Sequence, residues 1–457
     1  MATLTTTLRK RITGRILRSL AVFGSVEMLT MCCNVVRTKL IALWVGTAGV
    51  GLMGLFSTAL EMLSQLTQLS LRTVTVRDIA AADSRRRTAI SKSVALYGLL
   101  LAAGGAAVTA LLAPLLSALT FGNLGYTWAF AALALAVAAT TYTSAQSAIL
   151  QGHSLLRRIA IASAIGVPVS LAAAIPMIYY WRILSIIPII IVYTLVMATL
   201  FFTLRYRPDG EAPHIRGRQR RELWGSFARL GMYLSMASAL TYGASYLLMS
   251  YINHRAGTSE MGLYQAGYSL SVRYVGIIFT AMAMEYYPRL AGVDSPWRIS
   301  VMMSRQTSVS LAVIAPCAVA MMLLAPWIVD LLYTGSFHPV VPMVTFAAAS
   351  LPLRAWSWAM GFVVLAGGNG RIYLFAEAMS AIIGTALNIT GYALAGLTGL
   401  GISFILWYAI YSLIEVWLLR RYYGVTTAPR VAILALTCSA ALLALGIAIF
   451  CWREVAI

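Results

Sequence analysis

Six charged side chains interrupt long apolar runs of this sequence. Glu27, Arg37 and Lys39 share one run, Glu61 lies in the next, and Arg273 and Arg354 stand near the middle of two later ones. A charge in such surroundings needs a partner, water or a ligand. Arginine stays ionised at any relevant pH and presents a planar fork of donors, so mid-run arginines suit an anionic ligand. Lys39, close to the end of its run, can add a cation or extend its amine to the interface. Glu27 and Glu61 can pair with Arg37 or Lys39 as structural ion pairs, or carry a proton when desolvated. Glu285, Asp330, Glu377 and Glu415 lie near run ends, where an interfacial position costs little.

Helical spacing groups these residues with uncharged polar ones. At about 100° per residue, Glu27, Thr30, Asn34 and Arg37 fall within roughly 80° of one another. Ser57, Glu61, Ser64, Gln65, Gln68 and Arg72 share an arc of about 100°, and Gln265, Ser269, Arg273, Gly276 and Thr280 one of about 80°. Thr140, Ser144, Ser147 and Gln151 form a fourth stripe. In lipid, a polar stripe is useful only against water or a partner helix, so these helices are candidates to line a cavity. The chemistry on offer is binding and proton carriage, not bond making. HExxH, a Gly-rich phosphate loop, a nucleophile elbow and paired catalytic carboxylates are all missing. Five cysteines without CxxC spacing and four scattered histidines predict neither a disulfide framework nor a metal site. No cofactor is expected.

The elements that hold these residues follow from composition. Of 457 residues, 60% are hydrophobic and 11% charged, with mean hydropathy +0.82. A soluble domain carries about 25% charged residues. A soluble enzyme and a nucleic-acid-binding domain are excluded, and the net charge of +20 must have another origin. Apolar runs cover roughly 19–45, 49–72, 93–116, 124–150, 159–180, 184–204, 228–252, 259–287, 306–333, 341–366, 372–395, 398–419 and 431–452. They read as thirteen membrane-spanning helices. The first run is too long for the apolar part of a signal peptide. With the N-terminus in the cytoplasm, 27 of the 34 Lys and Arg residues fall in inner segments and three in outer loops. The positive-inside rule therefore puts the N-terminus inside and the C-terminus outside, and Arg72, Arg77 and Arg85–Arg87 read as topology determinants.

The most hydrophilic stretch divides the chain into an N-lobe (1–204), a cytoplasmic linker (205–226), a C-lobe (227–421) and an additional span (431–452). The halves echo one another. GTAGVGL at 46–52 matches GTSEMGL at 257–263, LQGHS at 150–154 matches AGGNG at 366–370, and LRYR at 204–207 matches LRRY at 419–422. Six spans per half predict an all-α polytopic fold of two six-helix lobes, related by a pseudo-two-fold axis along the membrane normal. Pro352, just before Arg354, predicts a bend.

KLIALWVGTAGVGLMGLF (39–56), GTSEMGLYQAGYSL (257–270) and MAMEYYPRLAGV (282–293) resemble the Wzx-type O-antigen flippases of the multidrug/oligosaccharidyl-lipid/polysaccharide exporter superfamily. The similarity spans roughly residues 15–420; span 13 departs from the twelve usual there. The resemblance implies a transporter of the bacterial inner (cytoplasmic) membrane. It would move undecaprenyl-pyrophosphate-linked oligosaccharide to the periplasmic leaflet by alternating access, for O-antigen or other surface polysaccharide assembly. Membrane lipids and partners such as the polysaccharide polymerase and chain-length machinery are implied; nucleic acid is not. In that frame Arg37, Arg273, Arg354 and Lys39 are the cavity cations that meet the pyrophosphate. Glu27 and Glu61 are the candidates for coupling to H+ or Na+. Asn34, Ser57, Gln65, Gln68, Gln265 and Ser269 line the cavity. The rivals are a multidrug exporter of the same superfamily, for which an acidic cavity would be expected, and a peptidoglycan-precursor flippase, usually of fourteen spans.

Overall fold

The computed structural model describes residues 25–68, 71–207, 217–290, 292–293 and 295–455. The basic residues Arg9, Lys10, Arg11, Arg15 and Arg18, and Pro208, Asp209, Gly210 and Pro213 of the linker, lie outside them. All regular structure among the described residues is helical. In chain order the helices are α1 (25–44), α2 (Thr47–Gln68), α3 (Leu71–Ala81), α4 (Ser84–Phe121), α5 (Thr127–Gly152), α6 (Leu156–Trp181) and α7 (Ile186–Thr203). There follow α8 (Gly217–Tyr268), α9 (Val275–Leu290), α10 (Pro296–Leu332), α11 (Val341–Ala348), α12 (Leu351–Ala366), α13 (Gly370–Leu418) and α14 (Pro429–Val455).

Among the described residues, seven helical stretches are long and apolar enough to cross a membrane, and α11 with α12, preceded by a 3-10 turn, makes an eighth bent by 56°. Two of the seven, Leu156–Thr203 and Gly370–Tyr423, run to 48 and 54 residues, more than twice the length of about 20 residues that a bilayer requires. Each is broken near its middle. A 3-10 turn at Arg182–Ser185 separates α6 from α7, and α13 breaks at Ala395–Gly396. Arg182 (φ 46°, ψ −120°) and Gly396 (φ 56°, ψ −138°) adopt the same unusual conformation at equivalent points of the two halves.

The chain divides into two compact units: the described residues through Val45 with Leu63–Ser235, and Gly46–Met62 with the residues from Met236 on. In the first unit α4 packs along α5, α5 along α7 and α6 along α7. The stretch after α2, read from the sequence as an inner loop, holds the short helix α3. Its Leu71, Thr75 and Ile79 recur at helical spacing and are buried; Leu71 and Ile79 pack with Ile90, Val94, Ala145 and Ile149, which gives the segment a reason to fold.

In the second unit α11 and α12 pack on α13, and α10 on α11 and α12. Helix α14, the extra span, lies against α10, α11 and α12 and buries Ala435 and Leu442 in the same apolar cluster as Leu311, Met322 and Met360. It is part of the unit's core. The predicted bend also exists: α11 ends at Ala348 and α12 starts at Leu351, with Pro352 at its first turn, where a missing N–H costs nothing.

Candidate functional site

The site is built in the second unit, where the first half of α2 crosses the end of α8. Gly46 (φ 86°) and Gly257 (φ 84°) occupy the same place in the two GTxxxGL motifs and share a positive φ. Beyond each turn the contact is reciprocal. A Cβ on Gly51 would stand 2.5 Å from the carbonyl oxygen of Thr258, and one on Gly262 only 1.9 Å from that of Thr47. Neither position has room for a side chain, so the two backbones touch directly. One turn on, Gly54 makes space for Gln265, whose side chain is buried in this crossing.

Past the crossing, α8 changes winding. Residues Ser269–Tyr274 form a π-helical turn before α9 begins. A π turn shifts the register of later side chains and releases carbonyls from the i−4 ladder. Arg354 of α12 reaches two carbonyls of this turn: its Nη1 donates to the Val272 carbonyl at 3.2 Å and to that of Ser271 at 3.4 Å. Its guanidinium also lies 5.2 Å from the centre of the Phe279 ring. Arg273, in the same turn, points elsewhere. Its Nη2 is 3.7 Å from Glu61 Oε2, with the two side chains 41% and 40% exposed. Glu61 thus pairs with Arg273. Ser269 lies beside the buried Tyr333, which also neighbours Tyr274.

In the first unit Arg37 Nη2 donates to Asn34 Oδ1 at 2.9 Å and lies 5.7 Å from the centre of the Tyr193 ring. Glu27, exposed on α1, is within electrostatic reach of the same tyrosine. Lys39, Ser57, Gln65 and Gln68 are half-buried. The structure therefore joins Arg37 to Asn34 and Glu61 to Arg273, and it sets Arg354 on the backbone beside Arg273.

One acid escaped the sequence reading. Glu415 is 1% exposed, not interfacial, and its Oε2 accepts a hydrogen bond from Ser357 Oγ at 2.5 Å. Position along the run suggested a cheap interfacial site, whereas the spacing of Tyr408, Tyr411, Ser412 and Glu415 marks one polar stripe on α13. That spacing was the available signal.

Residues 51–342 match the family described as polysaccharide biosynthesis protein. The chain belongs to that family. No curated protein matches it closely enough to count as a relative. Among solved structures, an inward-facing multidrug resistance MATE family transporter of the MOP superfamily superposes with a TM-score of 0.74 at 14% identity, over 88% of this chain and 98% of the other. The lipid II flippase MurJ, inward closed, gives 0.64 at 11% identity over 96% of this chain and all of its own. A MOP superfamily transporter from Pyrococcus furiosus, described as having a binding pocket of reversed polarity, gives 0.62 at 15% identity over 88% and 95%. These likenesses establish the two-lobed, all-helical transporter fold. The protein is a multi-pass membrane protein.

Proposed function

We propose that this protein is a flippase of the bacterial inner membrane that moves undecaprenyl-pyrophosphate-linked oligosaccharide units from the cytoplasmic to the periplasmic leaflet by alternating access. The observation that carries the reading is Arg273. A mid-span arginine that is 41% exposed stands on a wet surface, because hydrocarbon would charge it about 2.5–3.5 kcal/mol. Its partner Glu61 is the kind of ligand a phosphate oxygen can replace: pyrophosphate competes for the guanidinium, and the carboxylate it displaces becomes available to a proton. Arg354 supplies a second cation beside the same turn. Arg37, oriented by Asn34, and Lys39 are the first unit's contribution. Family membership in polysaccharide biosynthesis and a fold shared with a lipid-linked-substrate flippase support the same reading.

The topology that goes with it has thirteen spans, an inner N-terminus and lobes bounded near 204 and 227. Polymerase and chain-length proteins would receive the flipped unit. The test is to compare the lipid-linked sugars of cells with and without the gene and to probe which leaflet exposes them. Expected is accumulation of the lipid-linked oligosaccharide on the cytoplasmic side with loss of surface polysaccharide. An unchanged pool together with altered sensitivity to cationic drugs would replace this reading with multidrug export.

A further inference from the structure

Glu415 combines full burial with an incomplete polar shell. Ser357 Oγ donates to Oε2, while Oε1 faces Gly361, where even a Cβ would stand only 3.1 Å away. Ser412, one turn earlier on the same face of α13, is 0% exposed and its Oγ has no hydrogen-bond partner. Among the described residues no Lys, Arg or His lies within ion-pair distance of the carboxyl. An ionised group there would be an uncompensated buried charge.

The surroundings lead outward. Tyr411 approaches Glu415, and Tyr411, Tyr373 and Tyr408 are all within electrostatic reach of both Glu415 and Glu377. Arg354 of α12 acts on Tyr408 alone in this group, and Arg420 and Arg421 lie exposed past the end of α13. Glu377 is only half-buried, and its Oε2 lies 3.3 Å from Thr241 Oγ1 of α8. That threonine also stands 3.1 Å from the Ala237 carbonyl, and a hydroxyl has one proton to give. When Thr241 donates to the carbonyl, the contact with Glu377 needs a proton from the acid.

We infer that Glu415, held by Ser357 and lacking a counter-charge, is a proton-binding site. Taking up one proton makes Glu415 the neutral acid; release reverses the step and no other bond changes. A metal ion does not fit. Two carboxylate oxygens and two serine hydroxyls fall short of the roughly six to eight oxygens a hard cation such as calcium gathers. The coupling role rests on the flippase reading; proton binding does not.

The experiment uses purified full-length protein in lipid vesicles and follows the infrared carbonyl stretch of protonated carboxyls as the pH is stepped. The wild type is expected to show a titrating band that disappears in Glu415→Gln and shifts in frequency in Ser357→Ala, which keeps the acid and removes its donor. A band unchanged by either substitution, a Glu415 band constant at every pH, or one that answers to sodium and not to pH would overturn the site. In the same vesicles, flipping of undecaprenyl-pyrophosphate oligosaccharide should respond to an imposed proton gradient in the wild type and lose that response in Glu415→Gln; a retained response would overturn the coupling role. Absence of flipping by the wild type, with the titrating band still lost in Glu415→Gln, would sink the function and uphold the proton site.

Discussion

Arg273 and Arg354 are the same residue type at the same π turn, one within it and one bonded to it, yet they have different duties. Arg354 donates to two carbonyls of the π turn, so Arg354→Ala removes bonds that tie α12 to that turn and lowers thermal stability as well as export. Arg273 touches no carbonyl among its recorded contacts and holds a half-exposed carboxylate. Arg273→Ala is expected to insert and fold normally while export falls roughly ten- to a hundredfold, the loss of a charge-assisted contact of about 1.5–3 kcal/mol. Melting curves and surface-polysaccharide assays on the two variants separate the roles; equal melting temperatures would contradict the structural part assigned to Arg354. His153, just past α5, offers a pH prediction. Its Nε2 meets Ser91 Oγ at 2.9 Å and its ring stacks on Tyr206 at 3.8 Å. Burial, with Arg87 adding to it, lowers its pKa below the usual histidine value near 6.5. The unfolded chain therefore takes up the proton first, so stability is full above about pH 6.5 and declines as the pH falls toward the depressed folded value. Thermal unfolding at neutral and mildly acidic pH should show that decline, and His153→Phe should reduce it.

Among the elements, two devices place the site, and only one was legible beforehand. The bend ahead of α12 follows from Pro352, because proline at a helix's first turn lacks a donor that would be orphaned anyway. The π turn at Ser269–Tyr274 carries no comparable signature. A stripe drawn at 100° per residue puts Gln265, Ser269 and Arg273 on one surface, whereas the structure buries Gln265 at Gly54, sets Ser269 beside Tyr333 and turns Arg273 to Glu61. Glu415 was hidden for a related reason: distance from the end of a run does not tell which face of α13 meets α12. The glycine crossing invites a direct test. Gly262→Ala would drive a methyl into the Thr47 carbonyl, and overpacking of this kind costs about 1–3 kcal/mol or more. Gly243→Ala, whose new methyl would meet only Met62 Sδ at 3.6 Å, is the control expected to be near neutral in the same melting assay.

For the molecule as a whole, charge and hydropathy reached further than side-chain detail. The apolar runs foretold an all-helical membrane protein, and the GTxxxGL echo foretold a duplicated architecture whose sharpest structural mark, the shared conformation of Arg182 and Gly396, has no counterpart in residue type. The lesson is that backbone geometry can repeat where sequence does not. The proposed topology has its own check. In a background freed of other cysteines, native Cys451 should react with a membrane-impermeant maleimide in intact spheroplasts, whereas Arg157→Cys should react only after permeabilisation; the opposite pattern would invert the orientation. Finally, the meeting of Gly51 with Thr258 and of Gly262 with Thr47 constrains the protein's history. Most positions in each half can drift alone. These cannot, since a side chain gained in one half would strike the main chain of the other. The two glycines therefore act as a pair of pins at which the halves must change together or not at all, and compensation should be sought in the opposite half of the gene.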